Sequence, residues 1–214
     1  MRITNTTILK CVLVCLIQLG SLWSAAQARA AVDWLVLVVD RSGSISPQHM
    51  ALQRNSYVNL LSDPEVVEML GAAQVAIVEF DTTPEVVVHW SKPEIAAATY
   101  RAAGMPPEPS LTGIGNALVI ALKLLEGKGG RSVIDISANG RDNVDQLALR
   151  RARAAAARRS IEINGLIFLN PHDPGIEAFF HDHVVNGFVI AVEHQDHFLG
   201  ALRAKFVLEI ASSD

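Results

Sequence analysis

Val32-Asp33-Trp34-Leu35-Val36-Leu37-Val38-Val39-Asp40-Arg41-Ser42-Gly43-Ser44-Ile45-Ser46-Pro47 is the stretch that decides the fold. Its first nine residues form a near-continuous apolar, β-branched run, the pattern of a strand buried on both faces. Ser46 and Pro47 then supply a helix start, with serine as the N-cap and proline as the first helical residue. The helix is expected to run to about residue 61.

Working outward, residues 74–80 and 85–90 read as two more strands around the turn Asp81-Thr82-Thr83-Pro84. So short a connection implies an antiparallel hairpin, because a parallel crossover needs a dozen or more residues. A helix is expected at 93–103 and an irregular, proline-rich loop at 105–110. A further helix over 112–126 is stopped by Gly127-Lys128-Gly129-Gly130. Strands at 132–137, 161–169 and 188–192 alternate with helices at 143–159, 174–186 and 194–210. The alternation predicts an α/β fold: one domain with a doubly wound, mostly parallel six-stranded sheet, one antiparallel hairpin strand and helices on both faces. Ligands of such sheets sit outside the carboxyl ends of the strands, near the switch point. The loops after Val39, Ser110 and Ala138 are therefore the places to search.

Residues 1–30 have a different character. Arg2 and Lys10 precede or open an apolar run from Ile8 to about Leu22, and small residues follow. Ala26-Gln27-Ala28 and Ala28-Arg29-Ala30 both fit a small-x-small cleavage pattern. These are the three regions of a secretory signal peptide, so export to a periplasm or to the medium is expected. The apolar run is near the lower limit of roughly 17–25 residues for a bilayer span. No later segment is long and apolar enough to cross a membrane, so none is expected to be embedded once the leader is removed. Both cysteines, Cys11 and Cys15, lie in the leader. Residues 31–214 therefore have no disulfide, thiolate metal site or cysteine nucleophile. The leader also holds three of the 18 basic residues and none of the 22 acidic ones, which takes the net charge from −4 to −7 on cleavage. That acidity opposes non-specific binding to nucleic acid.

The candidate chemistry sits at the end of the first strand. Asp40-Arg41-Ser42-Gly43-Ser44 has the form D-x-S-x-S and offers one carboxylate and two hydroxyls two residues apart. Hard divalent cations take oxygen ligands of this kind. Ser110-Leu111-Thr112-Gly113-Ile114-Gly115-Asn116-Ala117 adds a threonine where a loop meets a helix.

On these motifs the chain resembles the von Willebrand factor A-type (VWA) domains, which carry a metal-ion-dependent adhesion site (MIDAS). Asp40, Ser42 and Ser44 match the family's first motif. Thr112, Gly115 and Ala117 match the second. The third motif, an aspartate followed by glycine after the fourth strand, falls on Asn139-Gly140, so asparagine stands where the family has aspartate. The order, spacing and hairpin position agree over essentially all of residues 31–214. More narrowly, the chain is similar to short exported bacterial VWA-like proteins of unknown function.

The resemblance implies a non-enzymatic binding module. Asp40, Ser42, Ser44, Thr112 and Asn139 would hold Mg²⁺ or Mn²⁺, and a protein partner's acidic side chain would complete the coordination. With asparagine at 139, Asp40 is the sole carboxylate of that set. The ion then keeps a charge of about +1, which weakens its binding and strengthens its demand for an anionic ligand. Asp81, Asp142 and Glu79 are further carboxylates that sequence does not place. Asp135 lies four residues before Asn139, roughly 13 Å away along the strand. The competing reading is a metal-independent scaffold in which the two serines cap the helix.

Other features carry less. His181-Asp182-His183 and His194-x-x-His197 invite a zinc reading, but no third ligand stands at helical spacing. No G-x-S-x-G elbow supports a hydrolytic triad, and no general base can be named for a metal-assisted hydrolase. Arg150, Arg151, Arg153, Arg158 and Arg159 read as a solvated helix face that is also open to an acidic partner. Gly127-Lys128-Gly129-Gly130 follows a helix rather than a strand and lacks phosphate-loop spacing.

Overall fold

Residues 35 to 39 are buried almost completely, and they form the middle of strand β1 (Trp34–Asp40). The structure is a computed structural model that describes residues 31–103, 111–169 and 173–210. The expected leader and the expected loop at 105–110 lie outside the described residues.

Around β1 the sheet is built from β2 (Gln74–Phe80), β3 (Glu85–Ser91), β4 (Ser132–Ala138), β5 (Glu162–Phe168) and β6 (Val189–Val192). The spatial order is β3-β2-β1-β4-β5-β6. β1 pairs in parallel with both β2 and β4, and β4–β5 and β5–β6 are also parallel. β2 and β3 form the expected antiparallel hairpin. β3 is an edge strand and is much less buried than its neighbours.

Seven α-helices are described: α1 (Pro47–Leu61), α2 (Pro64–Leu70), α3 (Pro93–Ala102), α4 (Ile114–Leu124), α5 (Gln146–Arg158), α6 (Ile176–Phe179) and α7 (Phe198–Ile210). They cover both faces of the sheet, because successive strand residues point to opposite sides. Leu35, Leu37 and Val39 pack with α1, α2, α3 and α7. Val36 and Val38 pack with α4, α5 and α6. Large side chains fill both layers, including Tyr57, Tyr100 and Phe206 on the first and Phe80 and Phe180 on the second. Burying a side chain of the Phe or Leu kind contributes roughly 1.5–3 kcal/mol.

The helix starts follow their caps. Ser46 Oγ accepts from the His49 amide at 3.2 Å and begins α1, as its sequence predicts. Asp63 accepts from Glu65 N and Val66 N at 2.9 and 3.4 Å and begins α2, which the sequence reading omits. Its Asp-Pro-Glu start follows directly on the end of α1, so the two helices read as one segment and a loop. The helix expected at 174–186 is instead one α-turn followed by a π-turn over Phe180–Val184. There the Val185 amide donates to the Phe180 carbonyl at 3.0 Å, an i to i+5 bond. The start expected at 194 is a 3₁₀ turn, Gln195–His197, before α7.

Candidate functional site

β1 and β4 lie side by side and end together, the first at Asp40 and the second at Ala138. From β1 the chain returns to β2 on one side, whereas β4 continues to β5 on the other. Their carboxyl ends therefore mark the switch point, where the loops diverge and leave a crevice.

Asp40 is fully buried at this point. Its Oδ1 accepts from the Ser42 amide at 2.8 Å, and its Oδ2 accepts from the Asn139 amide at 3.4 Å. One carboxylate thus fastens the loop after β1 to the loop after β4. Gln53 of α1 reinforces the joint: its Nε2 donates to the Asp40 carbonyl at 3.4 Å and its Oε1 accepts from Ser137 Oγ at 3.1 Å.

The hydroxyls converge above that carboxylate. Ser42 Oγ and Ser44 Oγ are 3.2 Å apart, and Thr112 Oγ1 donates to Ser42 Oγ at 3.1 Å. Ser44 Oγ donates to Asn139 Oδ1 at 2.7 Å, and Asn139 Nδ2 donates back to the Ser44 carbonyl at 3.1 Å. All five residues singled out from the sequence therefore meet in one place, drawn from three separate loops.

Thr112 does not belong to the helix that follows it. α4 begins at Ile114 with Gly113 at its N-cap, two residues later than expected. The Thr112 amide donates to Asn143 Oδ1 at 2.8 Å, and its carbonyl accepts from Asn143 N at 3.0 Å. Two glycines let the loop come this close. A Cβ on Gly113 would lie 2.6 Å from the Asp81 carbonyl oxygen, and one on Gly115 would lie 2.5 Å from the Leu149 amide nitrogen. Asp142 closes the same corner by accepting from Gly115 N at 2.7 Å, Val144 N at 2.9 Å and Asp145 N at 3.0 Å. Gln53 and Asn143 are the supporting residues that motif reading misses, whereas Asp142 is one of the carboxylates it names without a place. The run Arg141-Asp142-Asn143-Val144-Asp145 between strand and helix was the available signal, since Asp and Asn favour such local amide bonds.

Burial pushes the Asp40 carboxyl up to about 6, against the pull of its hydrogen bonds from Ser42 and Asn139. The other nearby carboxylates are committed elsewhere. Glu79 accepts a two-point contact from Arg54 at 2.7 and 2.6 Å and a bond from Tyr100 Oη at 2.7 Å. Asp81 accepts from Thr83 N at 2.7 Å and faces Arg41 Nε at 3.6 Å. Asp135 points to the other side of the sheet, where Lys205 Nζ approaches it at 2.8 Å. Lys205 Nζ also reaches Glu209 Oε1 at 2.5 Å, and all three groups are fully buried.

The donor set suits a hard cation. It consists of oxygens alone, and cis oxygens around an octahedral ion with bonds of 2.0–2.1 Å stand about 3 Å apart. The hydroxyl separations of 3.2 and 3.1 Å match that spacing. Among the described residues no group of three or more His, Cys, Asp and Glu side chains could hold a metal. His194 and His197 face each other edge-on with ring centroids 5.7 Å apart.

A family model described as "Protein of unknown function (DUF1194)" matches residues 31–214. The chain belongs to this family. No curated protein matches the DUF1194 chain. Its fold recurs in solved structures of low sequence identity. A von Willebrand factor type A protein from Catenulispora acidiphila superposes with a TM-score of 0.62 at 15% identity, over 82% of this chain and 42% of that one. Proximal thread matrix protein 1 from the mussel byssus, in a structure whose MIDAS motif is occupied by zinc, gives 0.65 at 16% identity, over 86% and 47%. The pilus adhesin SpaC from Lactobacillus rhamnosus GG, in its open conformation, gives 0.68 at 13% identity, over 86% and 31%. The chain spans less than half the length of each of these three proteins. The DUF1194 chain has the VWA fold. Among its described residues no helix is long and apolar enough to cross a membrane.

Proposed function

We propose that this DUF1194 protein is an exported binding module that engages a protein partner through a divalent cation, Mg²⁺ or Mn²⁺, held at Asp40, Ser42, Ser44, Thr112 and Asn139. The observation that carries the reading is the convergence of three hydroxyls and the Asn139 carbonyl oxygen, joined by contacts of 2.7–3.2 Å, over a buried carboxylate. Ser42, Ser44 and Thr112 would ligate the ion directly or through water. Asp40 and Asn139 would either ligate it or orient the hydroxyls and waters. The cation would supply an electrophilic point that recognises a partner's carboxylate. With Asp40 as the sole carboxylate of the set, a divalent ion retains about one positive charge, so an anionic ligand is strongly favoured.

A second reading rests on the same hydrogen bonds. They satisfy the loop polar groups without any ion, as a metal-independent scaffold requires. Mn²⁺ titration followed by electron paramagnetic resonance separates the two. The binding reading expects the free-ion signal to fall with the wild type and to stay with a Ser42→Ala, Ser44→Ala variant. Equal signals for both proteins would favour the scaffold.

A further inference from the structure

Away from the D-x-S-x-S corner, one face of α5 borders a cleft of about 370 Å³, which adjoins a second of about 270 Å³. Arg150 and His183 line both, so the two form one groove between α5 and the α6–π segment. On the α5 side the stripe is Gln146, Arg150, Arg153, Ala154 and Ala157. This is i, i+4, i+7, i+8, i+11 spacing, so these residues share one helical face. The alanines leave the groove its depth, because neither reaches across it. The opposite wall is Phe179, Asp182, His183 and Asn186. It contains the π-turn, an irregularity found frequently at functional sites.

The charges of this groove are unevenly spent. Arg141, at its end nearest the D-x-S-x-S corner, is tied to Asp173 at 2.7 and 2.5 Å. Arg153 donates Nε to the Val185 carbonyl at 2.8 Å, which fixes the side chain and leaves its charge without a carboxylate among the described residues. Arg150 is exposed and has no ion-pair partner among the described residues. Against these two guanidinium groups the groove walls hold a single carboxylate, Asp182. In a protein of net negative charge this is a local basic strip. From Gln146 to Ala157 it extends roughly 16 Å along the helix axis, the length of about five residues of extended peptide.

We infer that this groove is a second recognition site, which takes a short acidic peptide segment in extended conformation, with Arg150 and Arg153 pairing its carboxylates. Guanidinium forks suit such pairing through two parallel hydrogen bonds. The inference does not depend on a cation at Asp40, since neither arginine belongs to that set.

The test is fluorescence anisotropy with a dye-labelled hexaglutamate peptide and the purified protein at low salt, with EDTA present. Saturable binding is expected, with amide shifts in nuclear magnetic resonance confined to α5 and the π-turn. Arg150→Glu should weaken binding about tenfold or more, as loss of a paired charge does. Ala154→Leu, which fills the groove and keeps every charge, should weaken it as well. Arg151→Glu makes the same change in net charge on a different helical face and should leave affinity within about twofold. Replacing EDTA with Mg²⁺ should leave the affinity within about twofold. Absence of binding by the wild type would overturn the inference. So would equal losses for Arg150→Glu and Arg151→Glu, which would indicate general electrostatics. Binding that appears only when Mg²⁺ replaces EDTA would move the peptide to the other site. Displacement by inorganic phosphate or by a single-stranded oligonucleotide at the peptide's own concentration would assign the groove to a different ligand. A failed metal titration leaves this result untouched, and the reverse also holds.

Discussion

Ser44 and Asn139 hold each other by two opposed hydrogen bonds, one from the serine hydroxyl to the amide oxygen at 2.7 Å and one from the amide nitrogen to the serine carbonyl at 3.1 Å. An aspartate at 139 could make the first but not the second, because it has no donor when ionised. The asparagine therefore closes the corner without an ion, and it also removes a charge that an ion would use.

Asn139→Asp should pull these two effects apart. Without a divalent cation the variant should lose about 1 kcal/mol of stability, the worth of one hydrogen bond, and somewhat more from the carboxylate facing a carbonyl. With Mg²⁺ it should gain more stability than the wild type does, and its cation affinity should rise about tenfold or more, since affinity follows ligand charge. Melting temperatures with and without Mg²⁺ check both.

Glu79 is buried against Arg54 and Tyr100 and supports the strand end beside the site. Arg54→Ala should cost about 3 kcal/mol, because it takes the two-point partner from a buried carboxylate and leaves only Arg41 Nη1, 3.9 Å away, as its counter-charge. Urea unfolding measures this loss.

Gly115→Ala should destabilise by about 1–3 kcal/mol, although alanine is the better helix former. Its Cβ would stand 2.5 Å from Leu149 N and 2.7 Å from the Asp145 carbonyl oxygen, both backbone atoms that cannot step aside. Circular dichroism melts will show the direction.

Glu209 gives the protein a pH dependence. Burial pushes its carboxyl from 4.5 up to about 8, although Lys205 pulls the other way. A group raised in the folded state contributes stability that is complete below its unfolded pKa and is lost as pH rises through the folded one. Between about pH 4.5 and pH 8 this contribution should therefore decline, and Glu209→Gln should flatten the profile. Urea midpoints of both proteins at pH 5 and pH 8.5 provide the comparison.

The sheet is legible in the sequence because its central strands are buried on both faces, and residues 34–40 and 74–80 accordingly read as largely apolar runs. The D-x-S-x-S loop and Thr112 are legible because the loops that carry them sit between clear strand and helix signals. Less is visible where one element follows another without a break, as with α2 behind α1, or where a helix changes its pitch, as at Phe180–Val184. Gln53 and Asn143 escape because their roles depend on contacts with residues 84 and 31 positions away. The fate of Asp135 is hidden for the same reason, as Lys205 meets it from the other end of the chain.

Isothermal titration of Mg²⁺ and Mn²⁺ into the wild type and Asp40→Ala, with acetate present as a surrogate for a partner's carboxylate, tests the central claim most directly. The account predicts saturable heat with the wild type that vanishes in the variant. Absence of heat in both, together with melting temperatures that neither ion changes, would contradict it and leave the fold as a metal-independent scaffold.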